Sequence, residues 1–474
     1  MMKSESTLDK ADVSISPVNR PTVPLLDPAF VAPVLFHRAY QERVRASGRG
    51  QRMVIGLERE NGAVSRYETW VLPEADADGC RFLERTVKFL MWARGGWRLW
   101  LGGPGDLCRA VASHYTPSGA RAFDCELLGR IYERALEVHC VRAEEVPEAC
   151  EKPRAVGGHL DGCRLGFDLG ASDFKVAAVL DGEVVYSDEF PWEPKVQADP
   201  EYHFTRLQEG LVTAASHLPR VDAIGGSSAG VIVNNRFMVA SLLRAIPAER
   251  MEHARNLFLR VRGLWGVPLE VANDGDVTAL AGTMSSGGGA TLGVAMGSSE
   301  AAGYIDRQGC VTGWLNELAF SPVDLNPQAA AEEWSGDRGV GALYFSQQSV
   351  NRLLPAAGVK LDAAMGLPEK LKAVQELMTG GDPRAERIYR TIGVCFGYAA
   401  AHYAEFYDFD HLLVLGRVTT GYGGELLLGE ARGVLEREFP DLAGRFTVEI
   451  PDEKSRRVGQ AIAAASLPVI GSQP

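Results

Sequence analysis

Apolar and polar positions fall into two stretches of different rhythm, separated by a polar run. In the first, a helix-like pattern covers residues 30–46 and two β-rich segments follow, MVIGLE at 53–58 and RYETWVL at 66–72. A second helical pattern runs over 82–93, and WRLWLGG closes the set as a strand. In the second stretch, short β-rich runs alternate with helical ones. Leu165 and Phe167 lead into Gly170, the run 176–180 ends at the turn pair Asp181 and Gly182, and Val184 and Val185 open a further strand. Residues 221–233 read as strand, loop (GGSSAG) and strand. Met251, Ala254, Phe258, Val261 and Trp265 recur at helical spacing until Gly266 and Pro268 end that helix. LEVAND is a strand that runs directly into the helix DVTALAG. TLGVAMG, a loop SSEAAG, the strand YID, the strand FDHLLVLGRV and a last helix at 455–466 complete the pattern. The alternation predicts an α/β architecture with ligand loops at the strand ends.

Residues 1–26 are polar and proline-bearing and are expected to form a flexible tail. Residues 27–150 make an α+β domain of unknown role, and the turn-rich residues 151–163 are a linker. At 474 residues the chain exceeds one core. The formal charge of −12 argues against a general nucleic-acid surface, which needs clustered cations. No apolar run is long enough to span a bilayer and the polar start has no signal pattern, so no membrane partner and a cytoplasmic location are expected. The eight cysteines contain no CxxC pair and the nine histidines no HExxH or HxxxH pair, which leaves a disulfide framework or a zinc site without support. GGPGD at Gly102 to Asp106 reads as a tight turn rather than an anion cradle, and Trp92, Trp97 and Trp100 as packing residues.

Asp168 ends a buried-looking strand beside Gly170, Ser172 and Lys175. Glycine lets the backbone approach a ligand, serine and backbone amides donate to phosphate oxygens, and a carboxylate holds hydrated Mg²⁺, so the group suits a metal-nucleotide phosphate. Lys175 equally fits a solvent-facing strand position. At the end of LEVAND, Asn273 and Asp274 stand at the mouth of a helix, where a carboxylate suits the helix N-terminus or serves as a cap.

Taken together, DLGASDFK, AIGGSSAGV, VANDGDVTALAG, TLGVAMGSSEAAG, NELAF and LLVLGRV resemble, in order and spacing, the ROK family of repressors, open reading frames and sugar kinases within the actin-like ATPase superfamily. The resemblance covers residues from about 164 to the C-terminus. Its first motif is similar to the family's D-x-G-G-T-x-x-K phosphate loop, with Ala171 and Ser172 replacing the second glycine and the threonine. By that match Asp168 organises Mg²⁺, and Gly170, Ser172 and Lys175 attend the phosphates of ATP. VANDGDV resembles the N-D-A-N-A-A segment, which implies that Asp274 is the general base for the sugar hydroxyl and Asn273 a sugar ligand beside it. TLGVAMGSSEAAG takes the place of the second phosphate loop, with Gly297 and Ser298 at its turn, and LLVLGRV resembles the adenosine motif that ends at Gly416. Glu317 resembles the sugar-contacting glutamate of G-E-x-G-H. Asn234, Asn235 and Arg244 lie in a segment where relatives contact the sugar, although each residue type is also common in loops and caps.

The departures from the family pattern are specific. Phe320 replaces the histidine of G-E-x-G-H, and SGDRGVGALYFS has Ser335 and Val340 at cysteine positions of the family's zinc segment and Ala342 at a sugar-binding glutamate. No zinc is expected there, and packing through Trp334 and Tyr344 is expected to hold the loop. Glu300 puts a carboxylate into the second phosphate loop, so it must point away, bind through a metal, or weaken ATP binding.

The resemblance implies a two-lobed actin-like ATPase (ribonuclease H-like) α/β fold with the α+β domain appended in front. Lobe 1 would span 164–275 and lobe 2 276–474, with the C-terminal helix returning to lobe 1. It further implies an ATP- and Mg²⁺-dependent sugar kinase that acts as a homodimer and binds no nucleic acid. The alternative is a catalytically weakened protein that senses a sugar or nucleotide. A repressor is disfavoured, because residues 27–147 show no basic recognition helix.

Overall fold

Among the described residues, three sheets and one small hairpin carry the chain. The structure, a computed structural model, describes residues 21–152, 157–170, 173–451 and 453–471. Helix α1 (Pro33–Ser47) precedes the first sheet, formed by β1 (Gln51–Glu58), β2 (Val64–Val71), β3 (Arg98–Gly102) and β4 (Glu137–Val141) in the order β2-β1-β3-β4. Helix α2 (Ala77–Arg94) joins β2 to β3, while α3 (Gly105–Ala112) and α4 (Ala122–Tyr132) lie between β3 and β4. GGPGD is therefore a strand-to-helix connection.

Helix α2 is buried on nearly every side, from Phe82 to Arg94 with Arg85 the one partial exception. The helix therefore lies inside a core rather than on a surface, with Glu84, Thr86, Lys88 and Arg94 as buried polar members. Lys88 adds a buried ammonium that donates to Asp124 at 2.8 and 3.0 Å and also pairs with Asp337. One continuous apolar core takes in Val34, Leu83 and Leu90 of this unit together with Ile392, Phe396 and Leu412. The front unit is thus fused to lobe 2. Residues 21–26 differ from the expected flexible tail: Leu26 N donates to Thr391 Oγ1 at 3.1 Å, and Tyr398 Oη donates to Thr22 O at 2.9 Å.

Lobe 1 holds β5 (Cys163–Leu169), β6 (Asp173–Leu180), β7 (Glu183–Pro191), β8 (Ala223–Ser228) and β11 (Leu269–Asn273), ordered β11-β8-β5-β6-β7. β5, β6 and β7 form an antiparallel meander, while β8 and β11 run parallel to β5. Asp181 and Gly182 both have positive φ, as a two-residue hairpin turn requires. Helix α5 (Pro200–Ala215) leads to β8, and the hairpin β9 (Val231–Val233) and β10 (Arg236–Val239) leads to α6 (Met251–Arg255) and α7 (Leu257–Trp265). The helix expected over 251–265 is broken at Asn256.

Lobe 2 holds β12 (Thr291–Met296), β13 (Glu300–Ile305), β14 (His411–Leu415) and β15 (Thr447–Glu449) in the order β13-β12-β14-β15. β13 is antiparallel to β12, while β14 and β15 are parallel to it, which repeats the arrangement β6-β5-β8-β11 of lobe 1. Two lobes therefore share one topology. Helix α8 (Asp274–Ser286) links them and runs through the boundary expected at 275. Helices α9 (Gln347–Ala357), α10 (Leu367–Thr379), α11 (Pro383–Tyr403) and α12 (Gly421–Glu438) cover lobe 2.

Helix α13 (Glu453–Ala465) crosses back onto β5 and β8. A Cβ at Gly225 of β8 would lie 1.7 Å from Ala464 O, so only glycine lets this helix approach so closely. Arg164 of β5, itself buried, donates to Pro468 O at 2.7 Å and places a cation at the helix C-terminus.

Candidate functional site

Parallel β5, β8 and β11 end together, and their last residues carry the polar groups. Asp168 on β5 pairs in register with Lys175 on β6 and Ser227 on β8. Ser227 Oγ donates to Asp168 Oδ1 at 2.7 Å. Burial raises the Asp168 carboxyl above its usual range, while the Ser227 hydrogen bond and the Lys175 charge pull it back. Lys175 therefore stands within electrostatic reach of Asp168. Beyond Asp168 the chain turns, with Gly170 N donating to Asp173 O at 3.0 Å and Gly170 O accepting from Trp192 Nε1 at 3.0 Å. Ser172, expected at the phosphates, lies outside the described residues, as does Ala171.

Asn273 is the N-cap of α8. Its Oδ1 accepts from Gly275 N at 2.7 Å and its Nδ2 donates to Gly230 O at 2.9 Å, so the cap also ties α8 to the loop after β8. Asp274 is the first residue of that helix. Burial, and next the Asp168 charge, push its carboxyl up to about 6. Asp276, two residues on, is a site residue that sequence reading missed. It accepts from Tyr304 N at 3.1 Å and Asn316 Nδ2 at 3.0 Å, and burial pushes it up to about 7. Burial, then Asp274 and Asp276, push Glu317 up to about 7 as well. The site therefore gathers Asp168, Asp274, Asp276 and Glu317 as mutually interacting carboxyls in a low-dielectric setting, where perturbed acids concentrate at functional positions.

A cavity of about 430 Å³ opens beside them, lined by Asn273, Asp276, Glu317, Asn234 and Trp314 among others. That volume is within the range of small-molecule sites. The front unit supplies a third wall through Arg59, Glu60 and Asn61, which no local pattern in those residues announced. Asn234 and Asn235 form the β9–β10 turn, both at positive φ (51° and 57°), a conformation asparagine tolerates better than most residues. Asn235 also lines the cavity, but its amide is engaged in the fold: Oδ1 accepts from Val271 N at 2.7 Å, and Nδ2 donates to Leu269 O and Glu270 Oε2 at 3.1 Å. Arg244 departs from expectation. It is exposed beyond a short helical turn, its Nε donates to Lys195 O at 3.3 Å, and it is not among the residues lining the cavity.

In lobe 2, the expected loop 298–303 is mostly strand, since Met296 pairs with Glu300 and only 297–299 turn. Gly297 N donates to Ser299 O at 3.1 Å, and Ser298 and Ser299 are exposed at the tip. Glu300 is buried and accepts from Tyr403 Oη at 3.1 Å, while its Oε2 has no hydrogen-bond partner among the described residues. Burial pushes its carboxyl up to about 8, so at neutral pH it is largely uncharged and directed into lobe 2 rather than into the hairpin tip. Gly416, with φ of 99°, follows β14. A Cβ there would lie 2.4 Å from Met296 O, so glycine alone lets the β14 loop sit against the start of the hairpin turn at Gly297.

The segment around Ser335, Val340 and Ala342 is held by polar contacts and packing. Glu332 Oε2 accepts from Ser335 N and Oγ, both at 2.7 Å, and Tyr344 Oη donates to Asp324 Oδ2 at 2.5 Å. Asp337 pairs with Lys88 and Arg121, and Trp334 meets Phe123 edge-on at 5.3 Å, so the loop docks on the front unit.

No protein-family model and no curated protein matches the chain. Solved structures do. A ROK hexokinase from Thermus thermophilus aligns with 65% of this chain and 98% of its own length at 18% identity and a TM-score of 0.51. A ROK family transcriptional regulator, a homologue of the E. coli MLC protein, aligns with 65% of this chain and 78% of its own at 17% identity and a TM-score of 0.50. The chain has the two-lobed α/β fold of these proteins. Among the described residues, no helix is long and apolar enough to cross a membrane.

Proposed function

We propose that this chain is a divergent member of the ROK family that works as an ATP- and Mg²⁺-dependent sugar kinase, with Asp274 as the general base. The observation that supports it best is the placement of Asp274: half-buried, first in α8, pushed up to about 6, near Asp168, and set between Asn273 and Asp276, which line the cavity although Asp274 itself does not. A base with that pKa is mostly ionised at neutral pH and still able to take a proton.

The donor set fits the proposed cofactor. Asp168 presents carboxylate oxygen, the hard ligand that hydrated Mg²⁺ takes, held by Ser227, while Lys175 beside it would meet phosphate charge. Bound there with ATP, the ion would neutralise phosphate charge. Asn273 and Glu317 would hold the sugar through hydroxyl hydrogen bonds. Asp274 would take the proton from the acceptor hydroxyl. Gly297, Ser298 and Gly416 bring the two lobe-2 turns together, which supplies backbone donors for the nucleotide side. Glu300 leaves that turn uncharged, because its carboxyl is protonated within lobe 2.

A sugar- or nucleotide-sensing protein that has lost turnover is the second reading. Ser299 and Ala301 favour it, since they stand where the family's second phosphate loop has glycines that let its backbone approach ATP. A coupled ADP-release assay across hexoses, amino sugars and polyols separates the two. Sugar-stimulated ADP release supports the kinase. A rise in melting temperature with sugar or ATP, without ADP release, supports the sensor.

A further inference from the structure

His37 on α1 and His402 on α11 converge on the carboxylate of Glu405, at the seam where the front unit meets lobe 2. Nδ1 of each histidine lies 3.3 Å from the same atom, Glu405 Oε2. One ligand atom from each of the three residues falls within 4.8 Å of the others. Donors held about 2.0–2.1 Å from a tetrahedral ion stand roughly 3.3–3.4 Å apart by the tetrahedral angle, so two of the three separations already have the value a bound zinc would impose.

The surroundings hold the imidazoles in place. The two rings meet edge-on with centroids 4.9 Å apart; Phe82 packs on His37 at 4.8 Å, and Phe89 and Phe406 pack on His402 at 4.9 and 5.1 Å. Both histidine side chains are buried, while Glu405 is 23% exposed, which leaves an ion and one water a route in from that side. The ion-pair partners of Glu405 among the described residues are these two imidazoles.

We infer that His37, His402 and Glu405 form a binding site for a divalent transition metal, zinc in the first place, that fastens α1 of the front unit to α11 of lobe 2. Two imidazoles and one carboxylate are a donor set zinc takes with a water as fourth ligand. The site is separate from the carboxyls around Asp274 and from the segment at Ser335, and its role is to join parts of the fold. It stands whether or not the chain is a kinase.

Metal analysis of the full-length protein tests this. Protein purified without chelator should carry about one zinc per chain, and protein stripped with EDTA should take up one Co²⁺ with the visible absorption of a four-coordinate ion. Zinc should also raise the melting temperature of the stripped protein. His402→Gln and Glu405→Gln should each weaken metal binding about 100-fold or more, with His37→Gln as a third variant should either fail to fold. Melting in EDTA close to that of the stripped parent shows that a variant is folded. A parent that takes up neither zinc nor cobalt and shows no thermal shift overturns the site, and so does zinc that stays bound in the folded variants.

Discussion

Ser227 Oγ donates a 2.7 Å hydrogen bond to Asp168 Oδ1 and so couples the end of β8 to the end of β5. A hydrogen bond to a charged carboxylate contributes about 1.5–3 kcal/mol, and it keeps Asp168 in the form that attracts a cation. Ser227→Ala is expected to raise the Mg²⁺ concentration needed for half-maximal ADP release by roughly tenfold. A Mg²⁺ titration of the variant beside the parent checks it, and overlapping curves would refute the role given to Asp168.

Arg244→Ala is expected to leave the sugar KM and kcat unchanged. Its side chain contacts Lys195 O on the surface and lies outside the cavity lining. Steady-state kinetics decide the matter, and a several-fold rise in sugar KM would place Arg244 back at the substrate.

Glu300 predicts a pH dependence of stability. Its carboxyl is raised from 4.5 to about 8 in the folded chain, so the folded state holds a proton that the unfolded chain releases between those values. The stability this proton contributes is present below pH 4.5 and is lost as pH rises toward and through 8. Glu300→Gln, which is neutral at every pH, should therefore melt progressively higher than the parent between pH 5 and 8. Thermal melts across that window measure it, and a constant difference would show that Glu300 is ionised in the fold.

Lys88 joins Asp124 and Asp337 inside the seam between the front unit and lobe 2. Removing one member of a buried ion cluster leaves the others uncompensated, at a cost of about 3–5 kcal/mol. Lys88→Ala is expected to lose that much in denaturant unfolding. Deletion of residues 21–150 is expected to leave lobe 2 with an open core and no cooperative melt; a sharp melt of the shortened chain would mean that the front unit is dispensable.

Much of lobe 1 could be read in the sequence, because strands buried on both faces give short apolar runs and the turns at Gly170, Asp181 and Gly182 carry their own residue types. Asn273 and Asp274 were legible for the same reason, as the end of a strand that becomes a helix. The start of β13 was not. Glu300, Ala301 and Ala302 are weak strand formers, and pairing with β12 rather than local preference makes them a strand. Neither Asp276 nor the cavity wall of Arg59, Glu60 and Asn61 could be found by local pattern, because each joins the site through contacts distant in sequence. Arg244 was placed in the site by its neighbours in sequence, yet the short turn at 241–243 leaves it on the surface.

The central claim is that Asp274 takes the proton from a sugar hydroxyl, and the most direct test is Asp274→Asn in the full-length chain with a sugar that stimulates ADP release in the parent. The account predicts a fall in kcat of about 10²-fold or more, the usual contribution of a positioned general base, with sugar and nucleotide binding by calorimetry kept within a few-fold. Undiminished turnover in that variant would contradict it.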